Sequence, residues 1–248
     1  MKNLYIYIII SIAVFAFVSC DKKEDTQANE YYTGKEYFPL RTGDTLIYKI
    51  TEIRIDKESD VNDTVEYFVM ETVESTFVDN NGDIAYRIEE YHKNLYDEQW
   101  IIHKVFSAKV TQNTAEKYKD NIKVIKLKFP IKLNYQWDGN IYNEYRITKE
   151  RENTGNGKDS LFNITKINHK YENEFIKLDS CLTVTQYYNE SLIGKNLVYE
   201  IYSAGIGLVC CEKMFMDAQV LIPGVAVEDR LTKATMYKQE LIKWQFHY

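Results

Sequence analysis

The feature that most constrains this fold is an alternation of apolar and polar residues that recurs along almost the whole chain. Val65, Tyr67 and Val69 alternate with polar residues, and Ile84 and Ile88 continue the pattern after a turn. Successive strand residues point to opposite faces of a sheet, so this alternation predicts half-buried strands. The 21 Tyr and 11 Phe, with only 3 Pro, fit a pleated surface.

Strand-like segments follow one another without a convincing amphipathic helix beyond residue 20. Consecutive strands joined by short turns pair antiparallel, and a large sheet curls to manage its edges. We therefore predict an all-β fold with few helices, in which about ten strands form a strongly curved antiparallel sheet or incomplete β-barrel.

Several local features refine this expectation. Residues 37–40 read as an apolar plug, and residues 115–118 offer at most one helical turn. A phase change in the first strand suggests a bulge near Thr51-Glu52. A further strand is expected over Tyr142 to Lys149.

The strongest hairpin signal is the run from Asp79 to Asp83, because its Asn81-Gly82 pair accepts the positive φ angles of a tight turn. The acidic residues also suggest calcium. The run lacks the ligand spacing and closing Glu of a calcium loop, so a simple turn is the favoured interpretation.

The N-terminus predicts export. Leu4 to Val18 is an uncharged apolar run of signal-peptide length, shorter than the roughly 20 residues of a membrane span, and Ser19 precedes Cys20. These residues resemble the lipobox of bacterial lipoproteins, which implies cleavage between Ser19 and Cys20 and acylation of the Cys20 thiol. An ordinary cleaved secretory signal is the alternative.

The domain organisation follows. We expect a lipoprotein signal peptide over residues 1–19, a flexible polar tether over residues 20–33, and a single β-rich domain over residues 34–248. Residues 151–160, rich in Asn and Gly, are the best candidate for a subdivision or a long exposed loop.

The mature chain is acidic. Removing residues 1–19 takes away one basic residue, Lys2, so 30 basic and 37 acidic side chains remain. This balance argues against nucleic acid as a partner, because phosphate binding depends on clustered Lys and Arg.

Three cysteines remain besides Cys20. Cys210 and Cys211 are adjacent and would face opposite sides of a strand. One of them could pair with Cys181 in an oxidising compartment, or all three could be buried, reduced and apolar in character.

The chain carries no recognised catalytic signature. A phosphate-binding loop, a nucleophile elbow, a zincin motif and a Cys-x-x-Cys pair are all absent from the sequence. The four histidines are scattered without ligand spacing, and Gly205-Ile206-Gly207 reads as a bend rather than a dinucleotide fingerprint. We therefore expect no enzyme activity, no metal and no cofactor.

The most interesting aromatic residues are Trp100, Tyr135 and Trp137, which we single out as candidate ligand contacts. An exposed Trp in a polar loop can stack on a sugar or lie at a lipid headgroup. Alternatively, Trp137 caps the open end of a barrel.

Three segments together resemble uncharacterised outer-membrane lipoproteins of the Bacteroidota type: residues 37–44 with Tyr48, residues 129–140, and residues 202–209. The resemblance implies a β-rich domain held at the outer membrane by its lipid. Residues 23–25 also look like the charged signal that sends such proteins to the cell surface. The family resemblance implies no particular activity.

These observations favour a non-enzymatic, membrane-anchored binding or scaffold lipoprotein of the cell envelope, with a glycan, a lipid or a protein as ligand. The first alternative is a lipid or lipoprotein carrier with an apolar half-barrel cavity. The second is a surface hydrolase with a carboxylate pair.

Overall fold

A computed structural model describes residues 33–97, 99–142 and 161–247. Within these ranges twelve antiparallel strands form one sheet, which curves into a nearly closed barrel with a single seam. The prediction of an all-β, strongly curved antiparallel fold is confirmed. The described ranges contain no α-helix, and two short 3-10 helices cover Lys35–Tyr37 and Val227–Arg230.

The strands follow the alternating segments of the sequence. Their bounds are β1 Thr45–Asp56, β2 Val61–Val78, β3 Ile84–Asn94, β4 Ile101–Val110, β5 Thr114–Lys119, β6 Ile122–Lys128, β7 Gln136–Trp137, β8 Phe162–Glu172, β9 Lys177–Glu190, β10 Gly194–Ser203, β11 Gly207–Asp217 and β12 Lys233–Gln245.

The sheet is two meanders joined at the chain ends. The strand order is β6-β5-β4-β3-β2-β1-β12-β11-β10-β9-β8-β7, so every strand pairs with a sequence neighbour except at the β1–β12 junction. That junction has the register Thr45↔Gln245 at one end and Asp56↔Lys233 at the other. The edge strands β6 and β7 therefore meet at the seam.

The seam is bridged by hydrogen bonds. The Ile125 amide on β6 donates to the Gly139 carbonyl just after β7, at 2.9 Å. In return, the Trp137 indole nitrogen Nε1 donates to the Ile125 carbonyl at 2.9 Å. Gly139 is required here, because a Cβ at this position would lie 2.4 Å from the Phe162 ring.

Two local predictions were wrong. Residues 115–118 belong to strand β5, because this segment pairs with β4 on one side and β6 on the other, which outweighs its weak helical preference. The first strand is irregular between Ile47 and Tyr48 in its pairing with β12, not near Thr51-Glu52.

Two further predictions concern residues that are mostly or wholly outside the described ranges. The strand expected over Tyr142 to Lys149 lies outside them after Tyr142, and residues 151–160 lie outside them entirely. Strands on both sides of this gap, β7 and β8, belong to the same sheet.

Apolar residues collect in separate clusters. Tyr37, Trp137 and Leu182 belong to one cluster at the seam, and Val73 and Phe106 belong to another. Phe38 packs against both clusters, which places the predicted plug over one end of the barrel. The described residues include no helix with both the length and the hydrophobicity of a membrane span.

Candidate ligand-binding cavity

The barrel interior is not filled by side chains. A cavity of about 820 Å³ runs between the strands. Its wall combines apolar side chains with charged groups. The apolar lining includes Phe38, Leu46, Val73, Ile88, Phe106, Ala108, Val124, Val198, Leu208 and Cys211. The charged lining includes Glu71, Lys117, Lys126, Glu200 and Lys213.

The plug closes one end of this cavity. Phe38 lies 6.1 Å from Tyr202 between ring centroids, and the Gly205 amide donates to the Glu36 carbonyl at 2.7 Å. Lys213 lines the cavity six residues beyond Gly207 on β11, which corresponds to roughly 20 Å along a strand. Lys213 is exposed, so the cavity opens toward solvent at the end away from the plug.

A buried ionic group stands on the wall. Glu200 accepts from the Lys126 ammonium at 2.5 Å and from the Tyr202 hydroxyl at 2.5 Å. Burial by itself raises the pKa of the Glu200 carboxyl, but Lys126 and Tyr202 outweigh it and leave the pKa below its usual value. Glu200 is therefore a carboxylate at neutral pH.

A second ion pair lies on the β2–β5 side. The Lys117 ammonium donates to Glu71 at 3.1 Å and lies 4.0 Å from the centroid of the Phe106 ring. Burial lowers the pKa of Lys117, but Glu71 outweighs that effect and the pKa is raised. This lysine is therefore charged, and its contact with Phe106 is a cation–π interaction.

Lys213 differs from these lysines. Its ammonium lies 5.3 Å from the centroid of the Tyr237 ring. Within the part of the chain that the structure describes, no carboxylate forms an ion pair with it. At the open end of the cavity, the Lys213 cation therefore has no ion-pair partner among the described side chains.

The two adjacent cysteines lie in different environments. Cys211 lines the cavity, whereas Cys210 packs in a cluster with Cys181. All three thiols are free and buried, which agrees with the reduced alternative. Burial raises the pKa of Cys211 to about 11 and that of Cys210 to about 12.

The sequence-selected aromatic residues lie outside the cavity wall. Trp137 is 4 % exposed, with Tyr135 and Phe162 at its ring edges. Trp100 is half-buried under the Lys93 ammonium, 5.1 Å from its ring. Ligand contact by Trp100, Tyr135 and Trp137 stays a prediction, and the cavity is built from other residues. The predicted cleavage and lipidation residues, Ser19 and Cys20, lie outside the described residues.

The acidic hairpin between β2 and β3 is a turn, as predicted. The Asp79 amide donates to the Asp83 carbonyl at 2.9 Å, and Gly82 has a φ of +82°. The Lys109 ammonium bonds Asp79 at 2.6 Å and Asp83 at 2.8 Å. A lysine thus occupies the position between the two carboxylates that a calcium ion would need.

Among the residues that the structure describes, one group of side chains could hold a metal ion. Glu90, His92 and His103 each offer a nitrogen or oxygen ligand atom, and these atoms lie within 4.8 Å of one another. No spacing along the chain indicates this group, because the residues come together only through strand pairing.

Comparison with known proteins yields fold-level likeness alone. No protein-family model matches the chain, and no curated protein matches it. A solved structure of a proposed exported protein with a YmcC-like fold from Bacteroides fragilis aligns over 84 % of this chain and 98 % of its own, with a TM-score of 0.40 and 8 % identity. A proposed lipoprotein from Parabacteroides distasonis aligns over the same shares, with a TM-score of 0.39 and 11 % identity.

Proposed function

We propose that this protein is a lipid-anchored, non-enzymatic binding protein of the cell envelope that holds a single-chain anionic amphiphile in its barrel cavity. The observation that carries the proposal is the open interior of about 820 Å³. Ligand pockets in proteins measure about 300–1,000 Å³ and are lined mainly by apolar groups with a few placed polar ones.

The lining suits an apolar tail. Val73, Ile88, Phe106 and Ala108 line one side of the cavity and pack near the plug residue Phe38. An alkyl chain placed there removes apolar surface from water at about 25 cal/mol per Å². The ion pairs on the wall do not require a polar ligand, because each lysine already faces its carboxylate.

The open end suits an anionic headgroup. Lys213 is exposed, lines the cavity and has no carboxylate partner among the described residues. A carboxylate or phosphate on the ligand would supply the missing partner while the tail points toward the plug.

The charged residues favour binding over catalysis. A glycosidase-like mechanism needs one carboxyl held protonated by a raised pKa. The pKa of Glu200 is lowered instead, and Glu71 is neutralised by Lys117. These carboxylates act as structural partners for lysines, which supports a non-enzymatic role.

The binding proposal is tested by titrating the purified protein with decanoate in competition with a fluorescent fatty-acid analogue. Ala108 is 3 % exposed and lines the cavity, so Ala108→Trp fills it. We expect this variant to weaken binding by roughly 10-fold or more, a difference of about 1.4 kcal/mol.

The control for this experiment lies on the same strand. Val105 is 46 % exposed and does not line the cavity, so Val105→Trp adds the same ring outside. It should bind like the wild type. Saturable binding that both variants weaken equally, or the absence of saturable binding by the folded wild type, would refute the proposal.

The headgroup position is tested separately. Lys213→Gln removes the cation and should weaken decanoate about 5-fold, while binding of the uncharged decanol changes little. Equal losses for both ligands would show that Lys213 does not contact the headgroup.

The anchor is tested through Cys20. Expressed in a bacterial host with its native N-terminus, the chain should appear in the membrane fraction as a species that starts at Cys20 and carries acyl chains by mass spectrometry. Cys20→Ala should leave residues 1–19 attached and remove the acyl mass. A wild-type product without acyl groups would refute lipidation while leaving the cavity proposal intact.

A further inference from the structure

A second site is suggested by three side chains near the rim of the barrel. Glu90 and His92 are two residues apart on β3, so they share a face of the sheet. On β4, Lys104 pairs with Glu90 and Ile102 pairs with Tyr91, which leaves His103 as the extra residue of a bulge. Such a bulge re-aims a side chain, and here it brings His103 to the face that carries His92.

One pair of ligand atoms in this group already lies close to the separation found around a bound metal. His92 Nε2 lies 3.0 Å from Glu90 Oε1. Two ligands at about 2.0–2.1 Å from a tetrahedral zinc ion are roughly 3.3 Å apart, so this pair is already near its coordinating separation. The His92 and His103 rings are stacked with centroids 3.9 Å apart, so the His103 ring must turn before its nitrogen faces the same point.

The remaining adjustment is small. The ligand atoms of the group all lie within 4.8 Å of one another. The His103 side chain is exposed, so it can rotate toward the other two without disturbing the core. Glu90, by contrast, is 5 % exposed and already contacts both His92 and Lys119.

We propose that Glu90, His92 and His103 form a site for a divalent transition metal of the zinc type, with one coordination position left open. Two imidazoles and one carboxylate form the ligand set that such ions accept, and three protein ligands leave the fourth position to water or a ligand.

The surrounding charges support this assignment. Glu90 turns Oε1 toward His92 and accepts from the Lys119 ammonium with its other oxygen, Oε2. Lys119 can therefore keep its partner while Oε1 coordinates the ion, as an outer-shell group that orients a ligating carboxylate. The nearby Lys104 is paired with Asp120 at 2.9 Å, so its charge is neutralised locally.

The test is calorimetric titration of the full chain with Zn²⁺ at pH 7.5. We expect one ion per chain at this site, with micromolar affinity or tighter. His92→Ala and His103→Ala should each weaken it by roughly 100-fold, since even outer-shell substitutions cost 10–100-fold.

A matched control is available on another strand. His169 on β8 bonds the Lys170 carbonyl and the Thr183 hydroxyl and lies outside the group, so His169→Ala should leave zinc affinity unchanged. Any Zn²⁺ bound by Cys20 would be bound equally in all these variants, so it does not affect the differences in affinity between them.

A second measurement does not depend on variant folding. Cu²⁺ bound to the wild type should show coupling to two imidazole nitrogens in electron paramagnetic resonance. The site is refuted if wild-type Zn²⁺ affinity is weaker than the expected micromolar range, if His169→Ala weakens binding as much as His92→Ala, or if the bound Cu²⁺ shows no imidazole coupling.

Discussion

The two faces of β10 and β11 differ in packing: one is filled by side chains, and the other borders an open cavity. On one face, Ile201 and Cys210 pack with Cys181 in a filled cluster. On the other face, Val198, Glu200 and Cys211 line an open cavity. Residues that are adjacent in sequence therefore lie in a close-packed core or in a space with room for a ligand, depending only on strand alternation.

The comparison shows on which face the buried charged groups lie. The filled face is packed with apolar side chains. The open face carries the Glu200–Lys126 pair, which costs desolvation and is kept because each charge has its partner. Because desolvation offsets much of its attraction, a buried ion pair adds little net stability over an apolar pair. We interpret its presence on the cavity wall as a means of keeping that wall from collapsing.

The largest expected effect comes from breaking that pair. Glu200→Gln leaves the Lys126 ammonium, only 15 % exposed, without its counter-charge. We expect a loss of about 3–5 kcal/mol in the free energy of unfolding at pH 7, measured by urea denaturation. Glu212→Gln, whose half-buried partner Tyr199 can still donate, should cost under about 1 kcal/mol. Equal losses of unfolding free energy in the two variants would show that the Glu200–Lys126 pair contributes no more than an ordinary hydrogen bond.

The next effect compares the two faces directly. Ile201→Ala should cost about 3 kcal/mol, because it leaves a void in a filled cluster. Val198→Ala should cost only about 1 kcal/mol, because it enlarges a space that is already open. Urea denaturation of both variants measures this. A Val198→Ala loss as large as that of Ile201→Ala would mean that the cavity is filled in solution.

A smaller effect should appear with pH. Because the folded pKa of Glu200 lies below its ordinary value of 4.5, the pair contributes fully above that value. The contribution is lost as the pH falls through the folded pKa. The stability difference between wild type and Glu200→Gln should therefore shrink below pH 4.5 and stay constant from pH 6 to 8. A difference that grows on acidification would contradict this sign.

Much of the fold could be predicted from the sequence. Alternation in β2 and β3, the Asn81-Gly82 turn and the plug before β1 are local signals, and each one was found. The closure of the barrel is not local. Trp137 bonds the carbonyl of Ile125 across the seam, and no pattern around either residue indicates that contact.

The sites were harder to predict, for the same reason. Lys126 and Glu200 sit in strand-like segments as ordinary polar positions, and only the register of the closed sheet shows that they face each other across the interior. His92 and His103 lie on different strands, and their spacing along the chain is not one that metal ligands typically show. The bulge that brings them together has no sequence signal. The predicted Trp contacts rested on residue type alone.

The most direct test of an open, ligand-holding interior uses the two adjacent cysteines. Native protein is treated with methyl methanethiosulfonate at pH 8.5, with and without saturating decanoate, and modification at each cysteine is followed by mass spectrometry. Cys211, on the cavity wall, should react faster than Cys210 and Cys181, and decanoate should slow Cys211 roughly 10-fold or more while leaving the other two unchanged. Unchanged reactivity at Cys211, or equal slowing of all three thiols, would contradict a ligand held in the barrel cavity.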